Sequence, residues 1–469
     1  MHLVNAPNPP DDKSALSSGL RLSMLDAVVS APLIFLASPN NYLIAALLTK
    51  VFNISEIEYG LIVSLPYWCN VGQVVLVPLL FRNLLAKEIT LMAGWAHLLM
   101  WFVLAFLLFG IPRQDAGKST EIFFWFFLFS NLLQSFNVVA WNSWNQEWIP
   151  ERIRGKYFGY RNRVLQVVTL LFLLLVGGVL DRSFLSIRSF QILLISAALL
   201  RAMAMLAQRE IHAPLLSEVT SDHPQVLRQL KVICQSGPFL WFTLFGVVWG
   251  IASNSFGPFY VIFMYKHLNL SSTDISILVV IMSVCSSLSL PAWGRLLDRY
   301  GNKSVMLISL LVWQVQNYLW YYITPATAWA LYLMCVWAGY TSAGFLLGLF
   351  NLLLKLAPSG ARTMAIAVNL ALTSLFMAIG VILGGKLLSS LSAFDGASDL
   401  TYHLAFLFQP TVALFGCLVL LQVDEPKTSS LKHVVIDLLT LRTMSGLIGL
   451  TSFYGFAQYF SLRKTPKQE

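Results

Sequence analysis

The sequence is poor in charge. Asp, Glu, Lys and Arg make up 11% of its 469 residues, while 57% are hydrophobic. A soluble domain carries about twice that share of charge, so a fold surrounded by water is excluded. Cysteine is scarce and scattered, at Cys69, Cys234, Cys285, Cys335 and Cys417. No Cys-x-x-Cys spacing occurs, which argues against a redox pair or a thiolate metal centre. The chain also lacks a glycine-rich phosphate loop, a cluster of residues at metal-ligand spacing and a Gly-x-Ser-x-Gly nucleophile turn. An enzyme is not indicated, and neither a metal nor any other cofactor is required. The first 20 residues are polar and contain proline, without the pattern of a cleavable signal.

What is present is apolar length. A window of about 19 residues finds hydrophobic segments along nearly the whole chain. They read as twelve spans: 22–49, 57–80, 88–110, 120–146, 163–180, 187–206, 239–266, 273–293, 304–323, 327–353, 364–388 and 402–422. The domain plan is a cytoplasmic tail 1–21, a six-helix bundle 22–206, a cytoplasmic connector 207–238, a second bundle 239–422 and a cytoplasmic tail 423–469. The net charge of +9 would suggest nucleic acid in a soluble protein. Here it reflects Lys and Arg gathered in cytoplasmic loops, so no nucleic-acid partner is expected. With both termini cytoplasmic, seven of the 31 Lys and Arg fall on the other side: Lys50, Arg113, Lys118, Arg182, Arg188, Lys266 and Lys386. In the tail, Leu431 to Leu441 has helical spacing, which favours a helix on the inner membrane surface over a thirteenth span.

The two halves repeat, at offsets of about 210 positions. Asn53-Ile-Ser55-Glu-Ile-Glu58 follows span 1, and Asn269-Leu-Ser271-Ser-Thr-Asp274 follows span 7. Both are Ser-x-x-acid helix caps, and both contain a glycosylation triplet that would matter in a secretory host. Pro150 to Arg154 follows span 4, and Pro358 to Arg362 follows span 10. Gly177-Gly178 and Gly384-Gly385 lie near the ends of spans 5 and 11.

Between spans 8 and 9 stands Gly294-Arg-Leu-Leu-Asp298-Arg299-Tyr-Gly301-Asn-Lys303. Its pattern, G-x-x-x-D-R-x-G-x-K, resembles the signature loop of the major facilitator superfamily of secondary transporters. R-G-x-x-x-G at Arg154-Gly155 to Gly159 is similar to that family's loop between spans 4 and 5. The resemblance covers about 400 residues, Leu22 to Gln422. The first-half counterpart is degenerate, with Phe81 where the second half has Asp298. The resemblance implies an all-α membrane protein of two pseudo-symmetric six-helix bundles, working by alternating access. It also implies an inner gate in which Asp298 meets the start of span 5, with Arg161 or Arg163. Gly294, Arg299, Gly301, Lys303, Arg154, Gly155 and Arg362 complete the expected gating set.

Polar side chains in the spans carry the functional information. Span 1 holds Ser38, Asn40 and Asn41 beside Pro39, and span 7 holds Ser253 and Asn254 before Gly257-Pro258. Paired, interrupted helices at equivalent positions point to a solute site, although kinked helices joined by polar contacts fit the same residues. Span 4 adds Asn131, Gln134 and Asn137, span 10 adds Tyr340, and span 11 adds Asn369. Trp141, Trp144 and Trp148 share one face of span 4, either lining an inner mouth or forming an interfacial belt, the belt being favoured for Trp148. A lining of amides and hydroxyls favours a small neutral organic solute. Efflux of amphiphiles, or a transporter-like receptor or lipid scramblase, are the alternatives. No acid lies at the midplane, so proton coupling would fall to Asp26 near the inner mouth or to His97 in span 3, with a purely structural role open for each. The expected partners are thus a small solute, membrane lipids and a proton or other coupling ion, for a monomer in the plasma (inner) membrane of the cell, acting as symporter, antiporter or facilitator.

Overall fold

The computed structural model describes residues 12–426, apart from 40, 82–83, 183–184, 212–222 and 396–398. The surface helix expected in the tail and the residue Asn40 lie outside the described residues. Among the described residues the secondary structure is helical throughout. Lipid offers a peptide group no hydrogen-bond partner, so each apolar run closes its bonds on itself. Ten helices are long and apolar enough to cross a bilayer. Glu56–Phe81, and Asn302–Asn317 continued by Tyr318–Tyr322, complete the twelve expected spans.

The helices outrun the apolar windows that announced them. The first begins at Asp12 rather than at residue 22. Span 4 is Ala116–Trp148, and span 5 is Glu151–Arg182, so the cationic stretch read as a loop forms the first turns of a helix. Span 8 is Ser272–Tyr300, which leaves Gly301 to make the turn. Gly301 has φ 90°, a value that glycine alone adopts without strain. Hydropathy reports where hydrocarbon ends, whereas a helix continues wherever Lys and Arg stems can reach water.

Two broken spans appear where expected. Span 1 runs Asp12–Leu36 and restarts at Tyr42–Ala46, continuing as the wider-wound Leu47–Val51. Span 7 runs Gly237–Phe256 and restarts at Phe259–Lys266. The repeat extends to fine detail. Asn53 and Asn269 both take left-handed φ, 54° and 53°. Just after each, Ile54 N donates to Leu48 O and Leu270 N to Met264 O, both at 3.0 Å. Both caps close: Ser55 Oγ donates to Glu58 and Ser271 Oγ to Asp274, each at 2.7 Å. At the opposite face Lys87 Nζ donates to the carbonyls of Arg209 and Ile211, which end span 6, Ile187–Arg209. Lys303 Nζ does the same to Leu421 O, which ends span 12, Asp399–Leu421.

The chain forms two compact units. One comprises Met1–Asp222 together with Asn254–Ile277 and Leu370–Thr401, which are stretches of spans 7, 8 and 11 and the links beside them. Its core between span 3, Ala86–Leu107, and span 4 is aromatic, with Trp101 edge-on to Phe126 at 5.0 Å. The other unit comprises His223–Ser253, Leu278–Asn369 and Tyr402–Glu469. Its core is built around Trp249 and Phe345, 4.6 Å apart, with Phe242, Phe245 and Leu310 buried alongside. Span 10, Ala330–Leu356, and span 11, Arg362–Asp395, contribute to it. Trp144 and Trp148 are buried with Leu16, Leu20 and Ile211, so the expected belt role for Trp148 gives way to packing of the early first helix on span 4.

Candidate functional site

We call the end of the spans that is poor in Lys and Arg the outer end. There, within the first unit, spans 1, 2 and 5 close on the outer stretches of spans 7, 8 and 11. Small residues permit the approach. A methyl group on Gly177 of span 5 would meet Ser276 Oγ of span 8, and one on Gly60 of span 2 would lie 3.2 Å from Val381 O of span 11. Gly385 backs onto Glu56 O, and Gly384 onto the carbonyl of Ser255. One glycine of each pair that marked the repeat, Gly177 and Gly385, thus lies at the closure, while Gly384 packs span 11 on span 7 and Gly178 meets no neighbour.

Polar groups fasten this closure. Asp181 ends span 5, and its carboxylate accepts from Ser272 N and Thr273 N, both at 2.7 Å. Those are the first amides of span 8, where the helix dipole favours an anion. Tyr42, the first residue after the break in span 1, shares a 2.6 Å hydrogen bond with Ser276 Oγ. Lys266 pairs with Glu56 at 2.9 Å. Deeper in, Tyr67 donates to Asn254 Oδ1 at 2.7 Å, joining span 2 to span 7. Asp181 and Tyr67 were not among the expected site residues. Asp181 stood out in sequence only as an acid next to a span end, and Tyr67 not at all.

The expected solute residues divide. Asn41 is spent on the backbone: its Oδ1 caps Leu43 N and Ile44 N at 2.9 Å, and its Nδ2 donates to Phe35 O at 2.9 Å. It holds the break in span 1 rather than facing a solute. Asn137 is buried and donates to Thr90 O at 2.7 Å, stitching span 4 to span 3. Asn131 bonds back to Phe127 O of its own helix. Ser38 and Gln134 are half-buried. In the second unit, Ser253 bonds to Trp249 O, and Asn369 donates to Thr243 Oγ1 at 3.1 Å. Tyr340 is half-buried against Trp293, whose Nε1 donates to Tyr340 O at 2.7 Å.

The coupling candidates are both enclosed. Asp26 is 2% exposed and lies between two guanidinium groups, Arg201 at 3.1 Å and Arg161 at 3.3 Å, with Gln208 Nε2 at 2.9 Å. The carboxylate and the two guanidinium groups form a buried ion-pair cluster that ties span 1 to spans 5 and 6. Arg161, expected at the gate, is 8% exposed, with its guanidinium 4.6 Å from the ring of Trp141. His97 is buried and accepts from Trp101 Nε1 at 3.1 Å, which identifies its Nε2 as the unprotonated nitrogen.

Of the gating set, Arg154 caps the end of span 4, its Nη2 donating to Gln146 O at 2.8 Å and to Ile149 O at 2.9 Å. Gly155, Arg163, Asp298, Arg299 and Arg362 are exposed, and Gly294 is half-buried. Lys303 and Asn302 are held by a residue the sequence did not suggest. Glu425 accepts from Lys303 N at 2.7 Å, from Asn302 N at 3.1 Å and from Lys355 Nζ at 2.7 Å.

Two repeats of six spans, each with an interrupted first helix, and a closure at one end made by equivalent helix pairs, define the architecture of a membrane carrier. The family model of the Major Facilitator Superfamily matches residues 248–463. The fold is similar to that of a D-xylose-proton symporter, with a TM-score of 0.69 at 14% identity, covering 88% of this chain and 99% of that one. It is similar to a variant of the nucleoside transporter NupG, with a TM-score of 0.66 at 18% identity over 88% of this chain and all of the other. It is also similar to a bacterial homologue of the human lysosomal transporter Spinster, solved inward-facing and unoccupied, with a TM-score of 0.63 at 12% identity over 89% and 100% of the two chains. No curated protein matches the chain. The second half of the chain is thus similar in sequence to the major facilitator superfamily, and the chain as a whole shares the fold of these solved transporters.

Proposed function

We propose that this protein is a secondary carrier that moves a small, neutral, polar organic solute by alternating access, and that the structure holds its outer end shut. The observation that carries the reading is the Asp181 clasp with its glycine surfaces. A carboxylate on two helix-end amides is strong enough to hold a state and weak enough to release it, at about 1–3 kcal/mol. Permanent packing would bury apolar side chains at this contact instead.

Neutrality of the solute rests on how charge is used. The buried acid Asp26 is engaged by Arg201 and Arg161, and within the first unit Gln134 of span 4 and Ser38 of span 1 are half-buried amide and hydroxyl groups suited to an uncharged solute. The named solutes of two fold relatives, xylose and nucleosides, are of this class. A proton remains the expected coupling ion, but neither Asp26 nor His97 is in a setting to carry it. The membrane is the plasma membrane, with both termini on the Lys- and Arg-rich side.

Saturable counterflow tests this. Purified protein in vesicles without a membrane potential should exchange a labelled solute drawn from a panel of sugars and nucleosides. Binding without exchange across the whole panel would make the protein a receptor. Protection of cells against amphiphilic dyes with no solute exchange would make it an efflux pump.

A further inference from the structure

At the outer end of the first unit lies a cavity of about 550 Å³ that the carrier reading does not use. Lys50, Arg113 and Arg188 line it, together with Phe109, Leu185 and Ile187. The three cations come from three parts of the chain, the end of span 1, the link after span 3 and the first turn of span 6, so the fold gathers what the sequence scatters. No acid among the described residues lines the cavity. Among the described residues none of the three makes an ion pair, whereas two other outer cations do: Lys118 with Asp115 at 3.2 Å and Lys266 with Glu56 at 2.9 Å. The first turn of span 6, Ile187–Arg209, opens on the same cavity, adding the partial positive charge of a helix start. Apart from Ser186 the remaining lining is apolar, Val51, Phe109, Leu185 and Ile187, with Phe109 half exposed at the level where a span ends.

We propose that this cavity binds a phosphate-bearing anion, and that its apolar rim makes an anionic phospholipid headgroup the better fit than a free phosphate. Three like charges around one hollow repel one another until an anion enters, and cations at the membrane surface each favour acidic lipid severalfold. Together they should give a tenfold or greater preference for acidic over zwitterionic lipid. A bound headgroup would rest on the end of span 1, the link after span 3 and the start of span 6, beside the closure formed by Asp181 and Lys266.

The test uses the full chain in detergent. Phosphatidylglycerol and phosphatidylcholine are titrated in competition and bound lipid is counted by native mass spectrometry. Inorganic phosphate is titrated separately by thermal shift. The triple variant Lys50→Gln, Arg113→Gln, Arg188→Gln is compared with a control triple outside the cavity, Lys118→Gln, Arg182→Gln, Lys386→Gln. The expected result is a tenfold preference for phosphatidylglycerol in the parent and control, lost in the cavity triple. Stabilisation by millimolar phosphate in the parent, absent from the cavity triple, would support the site with a soluble anion as its occupant. A cavity triple indistinguishable from the parent with both probes overturns the proposal, as does an equal loss in the control triple. Should the triple fail to fold, Arg113→Glu alone serves, its exposed side chain reversing one charge; an unchanged lipid preference would again overturn the proposal.

Discussion

Asp181→Asn should release the outer closure. The wild-type carboxylate accepts from Ser272 N and Thr273 N at 2.7 Å each. The amide keeps one acceptor oxygen, puts an NH₂ donor against the other backbone N–H, and removes the charge that the helix start attracts. A hydrogen bond to a charged acceptor contributes about 1.5–3 kcal/mol net, and the helix-end charge about 0.3–1 kcal/mol. Asp181 is partly exposed, so solvation of the free carboxylate offsets part of this. About 1–2 kcal/mol remains, which shifts the balance between shut and open outer ends by roughly 5- to 30-fold. The assay exploits Ser272, which is 1% exposed when the end is shut. With the five native cysteines replaced, Ser272→Cys should react with maleimide in proportion to the open fraction, and Asp181→Asn should speed that reaction 5- to 30-fold. An unchanged labelling rate in a folded, monodisperse variant would show that the carboxylate does not hold the closure.

Three further outcomes follow from the same geometry. Gly385→Val places side-chain atoms on the carbonyl of Glu56 in span 2, so the outer end should fail to shut, with fast labelling at the same cysteine and lost counterflow; normal transport would refute the close approach. Asp26→Asn leaves Arg161 and Arg201 buried without an anion and should cost about 3–5 kcal/mol, read as a large fall in melting temperature. If that variant instead melts normally and only the pH dependence of transport disappears, Asp26 is the proton carrier after all. Burial raises the pKa of Glu425, but hydrogen bonds from Lys303 N, Lys355 and Asn302 outweigh it and hold the carboxyl below the usual glutamate range. Its contribution is therefore complete above about pH 5 and lost as pH falls through the lowered folded value. Melting curves between pH 6 and 3 should show a wild-type loss on acidification that Glu425→Gln lacks; parallel profiles would refute it.

The repeat was the most legible feature, because it is written in residue types with fixed conformational demands. Asn53 and Asn269 occupy left-handed positions, and Ser55 and Ser271 close the caps that their spacing announced. The breaks in spans 1 and 7 were legible for the same reason: proline, glycine and asparagine punctuate a helix locally. Side-chain roles within the spans were not. Asn41, Asn137 and Gln134 look alike in sequence, yet one caps a helix, one joins two helices, and one is left half-buried. The difference depends on which neighbouring helix supplies a carbonyl, and that is a matter of packing. The charged motifs were ambiguous in a related way. Arg154, Arg161 and Lys303 read as parts of a gate, and here each has an acceptor within its own unit, in Ile149 O, Asp26 or Leu421 O.

One relation reconciles the inner gate implied by the signature loop with the clasp found at the outer end. Spans 5 and 8 belong to different repeats and run in opposite directions through the bilayer. Span 5 ends in Asp181, and that acid sits on the first amides of span 8. Span 8 carries Asp298 in its last turn, and the resemblance of the signature loop implies that this acid would meet the start of span 5 when the inner end shuts. On that expectation each helix of the pair would present an acid at its end to the beginning of the other, and a rocking motion that tightened one contact would loosen the other. If this holds, Asp298→Asn and Asp181→Asn should move the labelling rate at Ser272→Cys in opposite directions. The double variant should return toward the wild-type balance while cycling faster between states. Two variants that both raise the rate would mean the acids act independently, and the paired-helix account would fail.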